Sequence, residues 1–135
     1  MTVFRVDVQI TAPVMDTEVT DRVADAIENL FPGADPDYRH GELVATVHNM
    51  EQFSERLHEQ AILDTARGAF FAEQEGDTFA FSLKKQAAFV GVVNFSVGDP
   101  GELGDVRVRV KVRDPDVERY IDHVAPPTED GEPVR

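Results

Sequence analysis

Between Val106 and Arg113 every second residue is valine and every other residue is a cation: Arg107, Arg109, Lys111 and Arg113. A strand sends alternate side chains to opposite faces, so this spacing predicts four positive groups in one row, about 20 Å long at 3.3 Å per residue. Such a row complements phosphates, which arginine grips through two parallel N–H donors and lysine meets as a point charge. The same row can instead pair with carboxylates of neighbouring elements as surface salt bridges, or face an acidic surface of a second subunit. All three readings remain open at this level.

Charge is partitioned along the chain. Residues 78–98 hold Lys84 and Lys85 and residues 106–113 hold the four cations above, in both cases without an acid, while the other 106 residues carry 7 cations and 26 anions. Lys84-Lys85-Gln86 interrupts an alternating stretch, which places it in a loop that presents side chains to a ligand. The candidate nucleic-acid contacts from charge pattern are therefore Lys84, Lys85, Gln86, Arg107, Arg109, Lys111 and Arg113. Phe79, Phe81 and Phe89 lie close enough in sequence to stack on bases, although alternating phenylalanines in a strand belong more often to a core.

Bond-making chemistry finds little to use. His40, His48, His58 and His123 are not spaced to offer two ligands to one metal, and the absence of cysteine removes thiolate nucleophiles, disulfides and cysteine-ligated zinc. Ser54, Ser82 and Ser96 lack the Gly-x-Ser-x-Gly elbow of a nucleophilic serine. Glu73, Glu75 and Asp77, or Asp114 and Asp116, are neighbours that composition alone explains, and they flank expected turns where a carboxyl keeps its ordinary acidity. Gly98 to Gly104 lacks the Gly-Lys-Ser/Thr ending of a phosphate loop and leads into a strand. The expectation is a binding protein, without enzymatic activity, cofactor or metal.

The chain has 135 residues, 41% of them apolar, which suits a single domain over residues 1–125 and an acidic, proline-rich tail over 126–135. Its formal net charge is −13. Self-repulsion on that scale opposes compaction in dilute buffer, whereas molar salt shortens the Debye length to about 3 Å and leaves the carboxylates to hold water. The composition is thus expected of an acidic, halophilic protein. The amino terminus alternates charged and apolar residues, and no apolar run approaches a membrane span, so a cytoplasmic location is expected.

The elements that must position these side chains follow from periodicity. Residues 3–11 alternate as a strand; residues 17–31 form a helix capped by Asp16, with Val19, Val23, Ala26, Ile27 and Leu30 on its stripe. Asp37 to Val47 reads as two short strands around His40-Gly41, and a helix capped at Asn49 follows, bent near Leu63 and continuing through Phe70. Strands are expected at Thr78–Leu83, Val90–Val97 and Val106–Arg113, and a last helix from Asp114-Pro115 that turns Val117, Tyr120, Ile121 and Val124 inward. The sum is an α+β two-layer sandwich, a mixed or antiparallel sheet with helices packed on one face and the other face free.

Three stretches carry a likeness: Ile62-Leu-Asp-Thr-Ala-Arg67, Gly76-Asp-Thr-Phe-Ala-Phe-Ser-Leu-Lys-Lys-Gln-Ala-Ala88, and Ala125-Pro-Pro-Thr-Glu-Asp-Gly131. Together they resemble an archaeal family of uncharacterised proteins, predicted to bind RNA and similar in fold to the ribosomal protein that binds 5S ribosomal RNA. The resemblance implies RNA, structured or ribosomal, as partner, a homodimer as assembly, and Asp64, Thr65, Arg67, Lys85, Gln86, Ala87 and Ala88 as motif positions. It adds Arg67 to the candidate RNA contacts. Position 84 departs from the family's usual asparagine by being lysine. Asp64 and Arg67 stand three apart on a helix, so an ion pair that holds the fold is the competing reading. The alternative function is a dimeric protein-interaction module whose basic row meets an acidic partner.

Overall fold

The computed structural model describes residues 3–98, 103–130 and 132–133. Five strands make one antiparallel sheet in the order β2-β3-β1-β5-β4, from β1 (Arg5–Pro13), β2 (Asp37–Arg39), β3 (Glu42–Val47), β4 (Thr78–Lys84) and β5 (Asp105–Asp114). Helices α1 (Thr20–Leu30), α2 (Glu51–Glu59), α3 (Leu63–Ala72) and α5 (Val117–Val124) pack on one face. The short α4 (Lys85–Phe89) follows β4 directly. Sheet and helices form the two-layer sandwich that the periodicity predicts. No helix among the described residues is long and apolar enough to cross a membrane.

Period-two patterning decides which face is covered. Val106, Val108, Val110 and Val112 of β5 are at most 2% exposed, and Val6, Val8, Ile10, Phe79, Phe81 and Leu83 join them beneath the helices. Burying each such valine stabilises the fold by roughly 1.5–3 kcal/mol, so the face that β5 turns inward is not negotiable and its cations must turn out. Phe70 of α3 lies at the centre of the aromatic core, 4.9 Å from Phe79 and 4.8 Å from Phe81 between ring centroids. Phe79 and Phe81 are thus core residues and cannot meet a base.

Several boundaries move. Helix α1 begins at Thr20, not at 17, and Asp16 does not cap it; Glu18 instead accepts a hydrogen bond from Met15 N at 2.9 Å, and Val19 stays exposed. The bend near Leu63 is a break between α2 and α3, with Ala61 at φ +56°. Asp116, not Asp114, caps α5 by accepting from Arg119 N at 2.9 Å.

The strand expected at Val90–Val97 does not form. Backbone N–H groups of Val90, Gly91 and Val92 bond back to Ala87 and Ala88 at the end of α4, and Gly91 takes φ +74°, so the chain turns before a ladder can start. The segment then runs beside β4 with two bonds, Lys84 N to Asn94 O and Ser96 N to Ser82 O, both 2.8 Å. It shields that sheet edge from pairing with another chain. In the tail, Thr128–Glu129 (β6) and Glu132–Pro133 (β7) pair as a small antiparallel ribbon.

Candidate nucleic-acid interface

The open face is a grid fixed by strand register. Ser82, Arg107 and Thr11 form one row across β4, β5 and β1; Ala80, Arg109 and Gln9 form the next; Thr78, Lys111 and Asp7 form the third. Lys84 stands opposite Asp105 at one end of the same face, and Arg113 at the other. Lys84 and the four β5 cations are therefore brought together, all exposed.

Their electrostatic states differ. Arg107 is held by Glu73, with Nη2 donating to Oε1 at 2.7 Å and Nη1 to Oε2 at 3.2 Å, and Nη1 also reaches Ser82 Oγ at 2.9 Å. This bidentate bond holds the Glu73 carboxyl below its usual range and raises Arg107 above its own. Arg113 Nε donates to Asp7 Oδ2 at 2.6 Å and lowers the Asp7 carboxyl, which His48 Nδ1 also approaches at 3.3 Å. Arg109 and Lys111 have no carboxylate within 4 Å among the described residues. Two cations of the row are thus neutralised within the chain and two remain available.

Beside Arg107 and Arg109 the face deepens into a groove of about 1070 Å³, floored by Gln9, Thr11, Thr78 and Ala80 and walled by residues 72–76 of the α3–β4 connection. Its lining side chains are the cations Arg107 and Arg109, hydroxyls, amides and, on the wall, the carboxylates of Glu73 and Glu75. Aromatic rings are absent from its lining.

Three expected contacts belong elsewhere. Lys85 does not sit in a loop facing a ligand: it is 2% exposed in the first turn of α4, and its Nζ donates to Pro13 O at 2.6 Å, Glu18 Oε1 at 2.9 Å and Leu103 O. The reason is an amphipathic turn of chain. Lys84 ends β4 on the open face, so its neighbour must point to the other side, where carbonyls from two distant segments and one carboxylate compensate the ammonium. Gly104, next to Leu103, has φ +79° and lies so close to Pro13 that a Cβ would sit 2.5 Å from its Cγ, so only glycine lets this segment close over Lys85.

Arg67 is likewise structural. Its Nη1 donates to Asp122 Oδ1 at 2.6 Å and Ala125 O at 3.2 Å, and its guanidinium lies 5.0 Å from the Phe71 ring centroid, tying α3 to the end of α5. Asp64 accepts from Thr128 Oγ1, so it is the tail ribbon, not Arg67, that the aspartate holds. The first and third motif stretches therefore clasp each other. Gln86 is exposed on α4, a helical turn where the sequence predicts a loop, and Ala88 O accepts from Asn29 Nδ2 at 3.1 Å. What sequence reasoning missed was the pairing role of Glu73, which ends α3 and meets Arg107 34 positions away, and the groove wall it belongs to.

A family model described as RNA binding matches residues 7–113. A UPF0201 protein of Thermococcus kodakarensis is 35% identical over 95% of either chain, and a UPF0201 protein of Methanopyrus kandleri is 36% identical over 94% of this chain and 89% of its own. The chain belongs to this UPF0201 family. A UPF0200/UPF0201 protein of Archaeoglobus fulgidus is 33% identical over 96% of this chain, which spans 40% of that relative's length. The crystal structure of a UPF0201 protein from Methanococcus jannaschii superposes with a TM-score of 0.89 at 32% identity, covering 96% of this chain and 99% of that one. A more distant fold likeness, TM-score 0.65 at 20% identity, covers 91% of this chain and 99% of a protein from Methanothermobacter thermautotrophicus. The UPF0201 match runs through β1 to β5, the strands that build the open face.

Proposed function

We propose that this protein binds structured RNA through the open face of its sheet and performs no bond-making chemistry there. Arg109 and Lys111 make the leading phosphate contacts, flanked by Lys84, Arg107 and Arg113. The observation that carries this reading is that Arg109 and Lys111, side by side in the β5 row and exposed, have no carboxylate within 4 Å among the described residues, in a chain whose composition supplies twice as many acids as bases. An uncommitted positive centre on so negative a molecule repels little else and waits for an anion. The description of the matching family supports the same direction.

In this reading RNA is held by its backbone. With Gln9, Thr11, Thr78 and Ser82 around the cations and no aromatic ring in the groove, contacts go to phosphates and ribose 2′-hydroxyls, the features that mark an A-form helix by shape. At high salt counterion release contributes little, so these hydrogen bonds carry the affinity. The test is recovery of the protein from its own cells at native salt, with sequencing of crosslinked RNA, beside a variant in which Arg107, Arg109 and Lys111 are replaced by Gln. Enrichment above an unrelated acidic protein that disappears in the variant is expected. RNA recovery that survives the substitutions overturns the site, and a variant that changes only its oligomeric state makes the face an assembly surface.

A further inference from the structure

A second, smaller cleft of about 310 Å³ opens beyond the β4 edge, where Phe95, Ser96 and Val97 run beside Ser82. Glu73 and Arg107 line both this cleft and the larger groove, so their ion pair is the rim between them. The two spaces differ in character. The groove offers hydroxyls, amides, two cations and the Glu73 and Glu75 carboxylates, whereas the cleft adds Phe95, an aromatic ring braced edge-on against Phe70 and Phe81 at interplanar angles of 76° and 63°. Val97 beside it is 92% exposed. An aromatic wall, an aliphatic side chain and paired polar groups next to a phosphate-binding groove are what an unpaired RNA base requires, since the ring takes stacking and the polar rim reads its edge.

The rim chemistry narrows the base. Glu73 presents two carboxylate oxygens and Arg107 two donors, now satisfying each other. A phosphate is a bidentate partner for the guanidinium, and the adjacent N1–H and N2–H of guanine are a bidentate partner for the carboxylate. We propose that the cleft takes one unpaired guanine, the arriving RNA exchanging the Glu73–Arg107 pair for a phosphate on Arg107 and the guanine edge on Glu73. This rests on the RNA-binding reading above.

The test uses short RNA duplexes that are fully paired or carry one bulged nucleotide: guanosine, inosine, which lacks the N2 amine, or uridine. The paired duplex is expected to bind in a manner that Arg109→Gln and Lys111→Gln weaken; bulged guanosine is expected to bind about tenfold tighter than bulged inosine or uridine. Glu73→Gln is expected to erase that preference while retaining duplex binding, and Ser96→Leu, which narrows the cleft without touching Glu73, to do the same. Equal affinity for all bulges with duplex binding intact overturns the guanine pocket alone. Glu73→Gln that tightens every RNA equally makes Glu73 a simple electrostatic cover and also overturns it. Absence of any binding that depends on Arg109 and Lys111 removes both proposals together.

Discussion

Replacing Arg109 and Lys111 by Gln removes the two cations of the β5 row that have no carboxylate within 4 Å among the described residues. Each phosphate neutralised releases about 0.7–0.9 of a counterion, so log K falls against log salt by that amount per contact. Two lost contacts should flatten the slope by about 1.5, and a fourfold rise in salt should then weaken the wild type about eightfold more than the double variant. Arg107 and Arg113 behave differently, because Glu73 and Asp7 already neutralise them at 2.7 and 2.6 Å. Removing that second pair should change the slope by less than about 1, since a cation already matched by a carboxylate releases few of the counterions condensed on the RNA. The assay is fluorescence anisotropy on one RNA duplex between 0.05 and 0.3 M KCl. Equal slope changes for the two double variants would refute the division of the row into free and committed cations. An unchanged slope in the Arg109 and Lys111 variant refutes the site itself.

Three further outcomes concern the buried Lys85, the Arg67 clasp and the Arg113 end of the row. Lys85→Met strands the Glu18 carboxylate, itself 7% exposed, and should cost about 3–5 kcal/mol in urea unfolding; a loss under about 1 kcal/mol refutes the buried clamp. Arg67→Gln should lower stability by about 1–2 kcal/mol through the lost Asp122 and Ala125 bonds and leave RNA affinity unchanged, so a selective loss of RNA binding would return Arg67 to the interface. Arg113 lowers the Asp7 carboxyl from 3.8, so its contribution is complete above that value and disappears as pH falls through the lower native one. The melting difference between wild type and Arg113→Gln should therefore shrink below pH 4, and a difference constant from pH 6 to pH 2.5 would exclude the pair as its source.

Periodicity served where one physical requirement dominated. The β5 alternation had to split into a buried and an open face because four valines leave water together, and the outward direction of its cations followed without any tertiary knowledge. Val90–Val97 misled because apolar residues in a row describe hydrophobicity and not backbone bonding; α4 captures the N–H groups a strand would have needed. Lys84-Lys85 misled for another reason. The alternation that faces Lys84 outward turns Lys85 inward, but the three oxygens that make its burial tolerable come from Pro13, Glu18 and Leu103, all distant from it in the chain. The motif likeness pointed to the family correctly, and Asp64, Arg67 and Lys85 of its motifs make contacts within the chain that no spacing announces. Which cations are free depended on Glu73 and Asp7, and that is a matter of register that composition does not encode.

The chain has only three lysines, and the fold has given them separate addresses: Lys84 and Lys111 on the open face, Lys85 sealed inside. An amine-selective acylating reagent applied to the native protein would mark the first two and spare the third. Mass spectrometry would then follow two events at once, ligand occupancy as protection of the outer amines and opening of the interior as the late arrival of one more label.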